Sequence, residues 1–454
     1  MSLHHLHLMG IGGVGMCGIA EVLLAEGLMV SGCDLADNER TRRLAELGAV
    51  VHCGHHPDHL EGVDALVVSA AVPAGEPELE AAQAGGVQVV RRAEMLAELM
   101  RMRRGIAVSG THGKTTTTAL IGHLLTHAGA DPTMIVGGRA QFLGAHARIG
   151  RAPLLVCEAD EYDRSFLELA PYLTVITNLE AEHLDCYDGP EDLRSAFTAF
   201  ANRTSVFGAV VVCADDPGAW ELRGALRRRV IGYGASAEAE VRMTVVSANA
   251  GGTRFAVSRG GREMGEAHLP MPGAFNALNA VAAIIIGLEL GLEFEVLADG
   301  CAGFTGVARR FEVWGQSRGV TVVDDYAHHP TEVRAVLEAT RQAMPGKRVT
   351  VVFQPHLYSR TRDFAAQFAA ALLGADTAVV LPIYPARERP IEGVSAQLVV
   401  DEAVKLGHPR VLAGPPPEEA LGLLEDLLRP GDVLLTLGAG DVDRLAAAWM
   451  EEPS

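Results

Sequence analysis

Lysine is almost missing from this 454-residue sequence: only Lys114, Lys347 and Lys405 occur. Positive charge is short overall, with 38 Lys+Arg against 57 Asp+Glu and a net charge of −19. That is the wrong sign for a chain whose main partner is nucleic acid or an anionic membrane. A phosphorylated small ligand remains compatible, because small anions are held by local groups. The seven cysteines (Cys17, Cys33, Cys53, Cys157, Cys186, Cys213 and Cys301) are scattered and contain no CxxC pair. Neither a disulfide scaffold nor a structural zinc site is therefore expected, and a reducing cytoplasm is. No apolar run approaches the ~18 residues that a membrane span needs. The first thirty residues carry His4, His5, His7 and a glycine cluster but no basic segment, so no signal peptide is expected. Hydrophobic residues at 48% and charged ones at 21% exclude wholesale disorder, and the length allows two to four domains.

What is present is an alternation of short apolar runs with helical patterns, the signature of parallel α/β sheets. Strands are expected at LHHLHLM, LMVSGC, AVVH, ALVVSA and VQVV, a helix over about 93–102, and a linker at RMRRG (101–105). A second unit starts with GIAVS and the helix TTTTALIGHLLTHAG. It continues through LLVCEA and YLTVIT, and between about 240 and 270 it changes to a small antiparallel patch with GG turns. A third runs through VTVVDD, RVTVVF, TAVVLPI, RVLA and DVLLTLG, after a linker near 303–310. The fold class expected is α/β in three domains, at 1–104, 105–305 and 306–454.

Gly10, Gly12 and Gly15 form a G-x-G-x-x-G between a strand and a helix, and Asp34 ends the next strand. Such glycines let backbone approach a pyrophosphate at a helix N-terminus while the acid reads a ribose. NAD, another nucleotide diphosphate such as a UDP-sugar, and plain strand–helix packing all fit this motif. The stronger signal is IAVSGTHGKTTTTAL: a buried strand, a turn with Gly110, Thr111, His112 and Gly113, then Lys114, Thr115 and Thr116 opening a helix. Backbone N–H groups and the helix dipole suit phosphate oxygens, Lys114 can reach the terminal phosphates and Thr115 can hold Mg²⁺. Val108 stands where the usual phosphate loop has its first glycine.

Two acidic strand ends follow, Glu158/Asp160/Glu161/Asp163 and Glu180/Glu182/His183/Asp185, which favour a metal–nucleotide site. Asn276 and Asn279 lie i,i+3 at a helix start, in reach of a base or ribose, although Asn279 could equally serve the helix start itself. In the third unit Asp324, Asp325, Tyr326, His328, His329, His356 and Arg360 collect at strand ends. His52, His55, His56 and His59 have no cysteine or carboxylate framework beside them in sequence and are expected to form a polar loop.

Taken in order, GIGGVGM, GTHGKTTTT, EADE, TNLEAEHLD, PGAFNALNA, RRFE, DDYAHHPTE, FQPHLYSRT and GAGD resemble the Mur ligase family of peptidoglycan synthesis, over nearly the whole chain. The resemblance implies an N-terminal Rossmann-like UDP-sugar domain, a central P-loop-type ATPase with a mostly parallel sheet, and a C-terminal Rossmann-like domain. It implies ATP-dependent joining of L-alanine to UDP-N-acetylmuramate in the cytoplasm, by a monomer or homodimer. It also turns the first motif from NAD to a UDP diphosphate, with Gly12, Gly13, Val14, Gly15, Asp34, Ser69 and Arg92 as its residues.

Residue by residue, the resemblance places Lys114 on the β- and γ-phosphates, Thr115 on Mg²⁺, and Glu158 and His183 on a second Mg²⁺. Asn276 and Asn279 would meet the adenine, and Arg310 and Asp325 would reach the nucleotide on domain closure. Tyr326, His328, His356 and Arg360 would serve the amino-acid and muramoyl side. Phe275 departs from the histidine common at its position. Tyr162 replaces a usual serine, a feature similar to the members that recycle a tripeptide. With no lysine between Lys114 and Lys347, the carbamylated lysine of later family members has no counterpart here. The tripeptide-recycling activity, an NAD-dependent oxidoreductase and a non-enzymatic nucleotide binder are the alternatives.

Overall fold

The computed structural model describes residues 3–69, 71–140, 145–180, 186–386 and 388–451. His183, with Glu182 and Asp185, lies outside the described residues. Five strands, β1 (His5–Met9), β2 (Met29–Asp34), β3 (Val50–Cys53), β4 (Ala65–Val68) and β5 (Gln88–Arg91), form an all-parallel sheet in the order β3-β2-β1-β4-β5. The order reverses between β1 and β4. The turns leaving these two strands, residues 10–15 and Ser69 onward, therefore open side by side at the carboxyl edge, where doubly wound sheets bind ligands.

The second sheet has ten strands. They are β6 (Arg104–Ser109), β7 (Thr133–Ala140), β8 (Ala145–Arg148), β9 (Leu154–Glu158), β10 (Leu173–Ile176), β11 (Ala209–Cys213), β12 (Val230–Gly234), β13 (Val241–Asn249), β14 (Gly252–Arg259) and β15 (Arg262–Leu269). The order is β15-β14-β13-β12-β11-β10-β6-β9-β7-β8. Strands β10 (LTVI) and β11 (AVVVC) are apolar and buried along their length, as central parallel strands covered on both faces must be. Because β6 sits between β9 and β10, with parallel pairing to both, the loops after all three leave from one edge. The expected antiparallel patch is β13 to β15, joined by two-residue turns at 250–251 and 260–261.

Six further strands make the third sheet: β16 (Glu312–Ser317), β17 (Val320–Asp325), β18 (Val349–Phe353), β19 (Thr377–Val380), β20 (Val411–Ala413) and β21 (Val433–Leu437), ordered β16-β17-β21-β18-β19-β20. Only β16 is antiparallel, and a register shift between Val313 and Gly315 interrupts its ladder.

The architecture is thus three-domain α/β. By compactness the chain forms two units, one of residues 1–244, 256–267 and 278–305, the other of 245–255, 268–277 and 306–454. The linker expected at 101–105 is shorter than the sequence suggested. The helix Arg92–Arg101 runs up to it, and Arg104 and Gly105 already belong to β6. Gly105 is packed so closely that a Cβ there would lie 2.2 Å from the Met100 side chain. Among the described residues no helix is long and apolar enough to cross a membrane.

Candidate active site

The turn between β6 and the helix Lys114–His127 is built for close backbone approach. Gly110 (φ +136°) leaves no room for a side chain, since a Cβ would fall 2.1 Å from Thr177 Oγ1. Gly113 (φ +79°) precedes the helix, and its missing side chain makes space for Asn279 Oδ1, 2.9 Å from a would-be Cβ. Threonines at 115–118 are poor helix formers. All four are buried, so packing rather than propensity holds the first turn.

Thr177 and Asn178, just after β10, clamp this turn. Thr177 Oγ1 donates to the His112 carbonyl at 2.6 Å, Asn178 Nδ2 donates to the same oxygen at 3.1 Å, and His112 N–H donates to Asn178 Oδ1 at 2.7 Å. Glu180 N–H donates to Thr111 Oγ1 at 2.9 Å. In sequence the TN pair belongs to no motif that assigns it this role.

Lys114 Nζ donates to Glu161 Oε2 at 2.8 Å, Glu161 Oε1 at 3.0 Å and the Gly110 carbonyl at 2.6 Å. Asp160 Oδ1 lies 4.0 Å away. Glu161 is 2% exposed. Burial pushes its carboxyl up to about 7 against the pull of the Lys114 ammonium. The glycine turn thus holds its cation beside a carboxylate that gives it up readily to a more highly charged anion. In sequence Glu161 is one member of an acidic run, and its pairing with Lys114 spans 47 positions.

A cavity of about 320 Å³ joins the two carboxyl edges of this unit. Gly13, Val14, Gly15, Ser69 and Arg92 line it from the first sheet, and Glu158 and Asp160 from the end of β9. Arg92, first residue of its helix, lies over Gly15, with Nη1 3.1 Å from where a Cβ would be. Gly12 and Asp34 stand behind this lining. Gly12 N–H donates to Asp34 Oδ2 at 2.9 Å, and Arg40 donates to the Gly12 carbonyl, so Asp34 braces the glycine loop.

In the second unit, Asp325 at the end of β17 accepts from Phe311 N–H at 2.7 Å and Ala327 N–H at 2.8 Å. Burial raises this carboxyl to about 7 although Arg310 opposes it. Arg309 (φ +59°) and Phe311 (φ +46°) hold left-handed backbone on either side of Arg310, a conformation that persists only when its surroundings enforce it. Arg309, which no motif in the sequence sets apart from Arg310, supplies that enforcement. It donates to Asp324 Oδ2 at 2.9 Å and to the carbonyls of Gly438 and Gly440 at 2.6 and 2.9 Å. Arg310 and Arg309 both lie over the Tyr326 ring, at 5.0 and 5.3 Å.

His328 and His356 meet edge-on at 5.8 Å, and Arg360 Nη1 lies 3.4 Å from His356 Nδ1. Tyr384 stacks on His356 at 5.9 Å and was not foreseen, because it arrives from the loop after β19 with no motif around it. Asn276 is turned to its own backbone, Nδ2 donating to the Pro272 carbonyl at 2.8 Å. In this conformation it serves the helix start, the role the sequence had left open for Asn279.

Asp325 carries a pH signature. Its folded carboxyl titrates near 7 and its unfolded one near 3.8, so the folded state holds the extra proton between these values. Stability then falls as pH rises from about 4 to 7 and the contribution is gone above 7. Melting temperatures at pH 5 and 8 should differ less in Asp325→Asn than in the parent. An equal difference in both would place the titration elsewhere.

Models of the Mur ligase family match the chain three times: the catalytic domain at residues 5–104, the middle domain at 108–287 and the glutamate ligase domain at 309–440. A UDP-N-acetylmuramate–L-alanine ligase of Salinibacter ruber is 46% identical over 99% of this chain and 95% of its own. The chain belongs to the Mur ligase family. A second relative of this Mur ligase, the UDP-N-acetylmuramate–L-alanine ligase of Geobacter sulfurreducens, is 44% identical over 99% of this chain and 97% of its own. Among solved structures, the UDP-N-acetylmuramate–alanine ligase of Thermotoga maritima superposes with a TM-score of 0.82, at 28% identity over 99% of both chains. A murein peptide ligase of Psychrobacter arcticus, at 21% identity and a TM-score of 0.71 over 99% of this chain, shares the fold.

Proposed function

We propose that this Mur ligase joins L-alanine to the lactyl carboxylate of UDP-N-acetylmuramate with ATP, through an acyl phosphate, in the cytoplasm. The observation that carries the reading is the shared cavity. One wall is the glycine loop with Ser69 and Arg92, the other is the acidic end of β9, and Asp160 stands between that cavity and Lys114. A UDP-sugar seated on the first wall presents its carboxylate toward the phosphate loop. The relatives named above support L-alanine as the amine.

In this reading the carboxylate oxygen attacks the γ-phosphorus in line and ADP leaves. Lys114 moves from Glu161 to the phosphoryl oxygens and offsets the charge spreading over them. The Gly113 N–H and the amino end of the helix hold the remaining phosphate charge. The alanine nitrogen then attacks the acyl carbon and inorganic phosphate departs. His328 is assigned the proton that alanine's ammonium must lose. Its Nδ1 donates to the Tyr326 carbonyl at 3.0 Å, which fixes the ring's orientation. Arg360 offers a planar fork to the alanine carboxylate.

Thr115, Glu158 and Asp160 are hard oxygen donors at one edge, the set that Mg²⁺ takes, so the residues fit the metal that the family implies. Thr115 would hold one ion and Glu158 a second, and bound there they would neutralise charge on the transferring group. His183 is assigned to the same role on the resemblance alone.

Oxygen-18 placed in the lactyl carboxylate tests the acyl phosphate. The proposal expects one label in the released phosphate per turnover, and phosphate without label would sink it.

A further inference from the structure

The histidines at 52–59, expected as a polar loop with no cysteine or carboxylate beside them, surround both. Glu78, in the first turn of the helix Pro77–Gly85, is wholly buried. Its Oε1 lies 3.1 Å from His7 Nε2 and 3.3 Å from His59 Nδ1. Its Oε2 lies 3.2 Å from Cys33 Sγ, 3.6 Å from His55 Nδ1 and 3.1 Å from the His56 N–H that donates to it. The His52 ring covers His59, stacked at 4.1 Å. None of these residues lines the cavity of the ligase site.

A hydrogen-bond relay fixes which way the buried His7 ring faces. His5 Nδ1 lies 3.1 Å from the Gly62 carbonyl and must donate there, so in the neutral ring Nε2 accepts, from Ser31 Oγ at 2.7 Å. That commits the Ser31 proton. Ser31 Oγ in turn accepts from His7 Nδ1 at 2.8 Å. His7 Nε2 lies 3.1 Å from Glu78 Oε1 without hydrogen-bond geometry, so this buried ring nitrogen has no hydrogen-bond partner among the described residues. A buried polar nitrogen left without a partner beside a buried carboxylate is costly unless a cation lies between them.

Four donors define what that cation is. His7 Nε2, Cys33 Sγ, His59 Nδ1 and a Glu78 oxygen lie within 4.8 Å of one another. Tetrahedral coordination at about 2.0–2.3 Å separates ligand atoms by about 3.3–3.8 Å; His7 and His59 lie 3.1 and 3.3 Å from Glu78 Oε1, and Cys33 Sγ lies 3.2 Å from Oε2. Two imidazoles, one thiolate and one carboxylate suit a borderline-soft ion of the zinc class and not Mg²⁺ or Ca²⁺. Ser31 supplies the outer hydrogen bond that orients a metal-bound imidazole.

We propose that His7, Cys33, His59 and Glu78 form a structural zinc-class metal site in the amino-terminal domain. It ties β1, β2, the turn Pro57–Leu60 and the helix Pro77–Gly85 together. Cys33 immediately precedes Asp34, so the site stiffens the strand end that braces Gly12. The lone-cysteine spacing that argued against zinc misses it, because the four ligands come from four different elements.

The test uses the full chain, stripped of metal by chelator and titrated with Co²⁺. The expected result is one equivalent bound, with a thiolate-to-cobalt charge-transfer band and the strong ligand-field bands of four-coordinate cobalt, all erased by Zn²⁺. Cys33→Ser should lose the charge-transfer band, and Ser31→Ala should bind zinc about 10–100-fold more weakly. Should Cys33→Ser not fold, His59→Asn at a half-buried position is read instead, and it should lose the four-coordinate intensity. A parent protein with no thiolate band leaves a proton as the shared cation and overturns the proposal. An unchanged spectrum in Cys33→Ser or His59→Asn overturns it equally.

Discussion

Lys114→Met is expected to lower kcat by at least about 10²–10³-fold, the usual cost of removing one preorganised group that meets developing charge. UDP-sugar binding should be unchanged, because the Lys114 side chain is no part of the cavity lining. The variant carries a complication that the structure makes explicit. Glu161 is buried and hydrogen-bonded to Lys114 through both oxygens. A buried carboxylate that loses its ammonium takes up a proton or destabilises the fold. Lys114→Met/Glu161→Gln removes both charges together. It should recover the melting temperature lost in the single variant and none of the activity. Recovery of activity in the double variant would mean that Lys114 serves the fold and not phosphoryl transfer.

The second large effect is expected on KM. Arg92→Ala removes the guanidinium that lies over Gly15 at the mouth of the glycine loop. Hydrogen bonds to charged groups contribute about 1.5–3 kcal/mol, so KM for UDP-N-acetylmuramate should rise about 10–100-fold with kcat nearly constant. Steady-state kinetics at saturating ATP and L-alanine separate the two parameters. A fall in kcat at constant KM would move Arg92 from substrate binding to the chemical step.

The two variants divide what the sequence makes legible from what it hides. Central strands such as LLVCE and LTVI announce themselves as short apolar runs, and the groups that follow them must share one edge when the strands are parallel. That is why the sequence can place Lys114 and Glu158 at one sheet edge. It cannot place partners that meet across the fold. Glu161 reaches Lys114, Thr177 and Asn178 clamp residues 110–113, and Glu78 stands among histidines that look solvated in sequence.

Strand β16 escaped because EVWGQS is an edge strand with a bulge, without alternation or a continuous apolar run. Arg309 and Arg310 are adjacent and chemically identical. Only the left-handed backbone and the carbonyls of Gly438 and Gly440 tell the anchoring arginine from its neighbour. Asn276 carries a local role that its sequence does not reveal: its Nδ2 donates to the Pro272 carbonyl at the helix start.

The central claim is the pairing of UDP-N-acetylmuramate with L-alanine, and phosphate release from Mg·ATP tests it most directly. With UDP-N-acetylmuramate present, L-alanine and the tripeptide L-Ala-γ-D-Glu-meso-diaminopimelate are added in parallel reactions. The account predicts release driven by L-alanine, with UDP-N-acetylmuramoyl-L-alanine formed in equal amount. Release that prefers the tripeptide, or that proceeds without UDP-N-acetylmuramate, would contradict it.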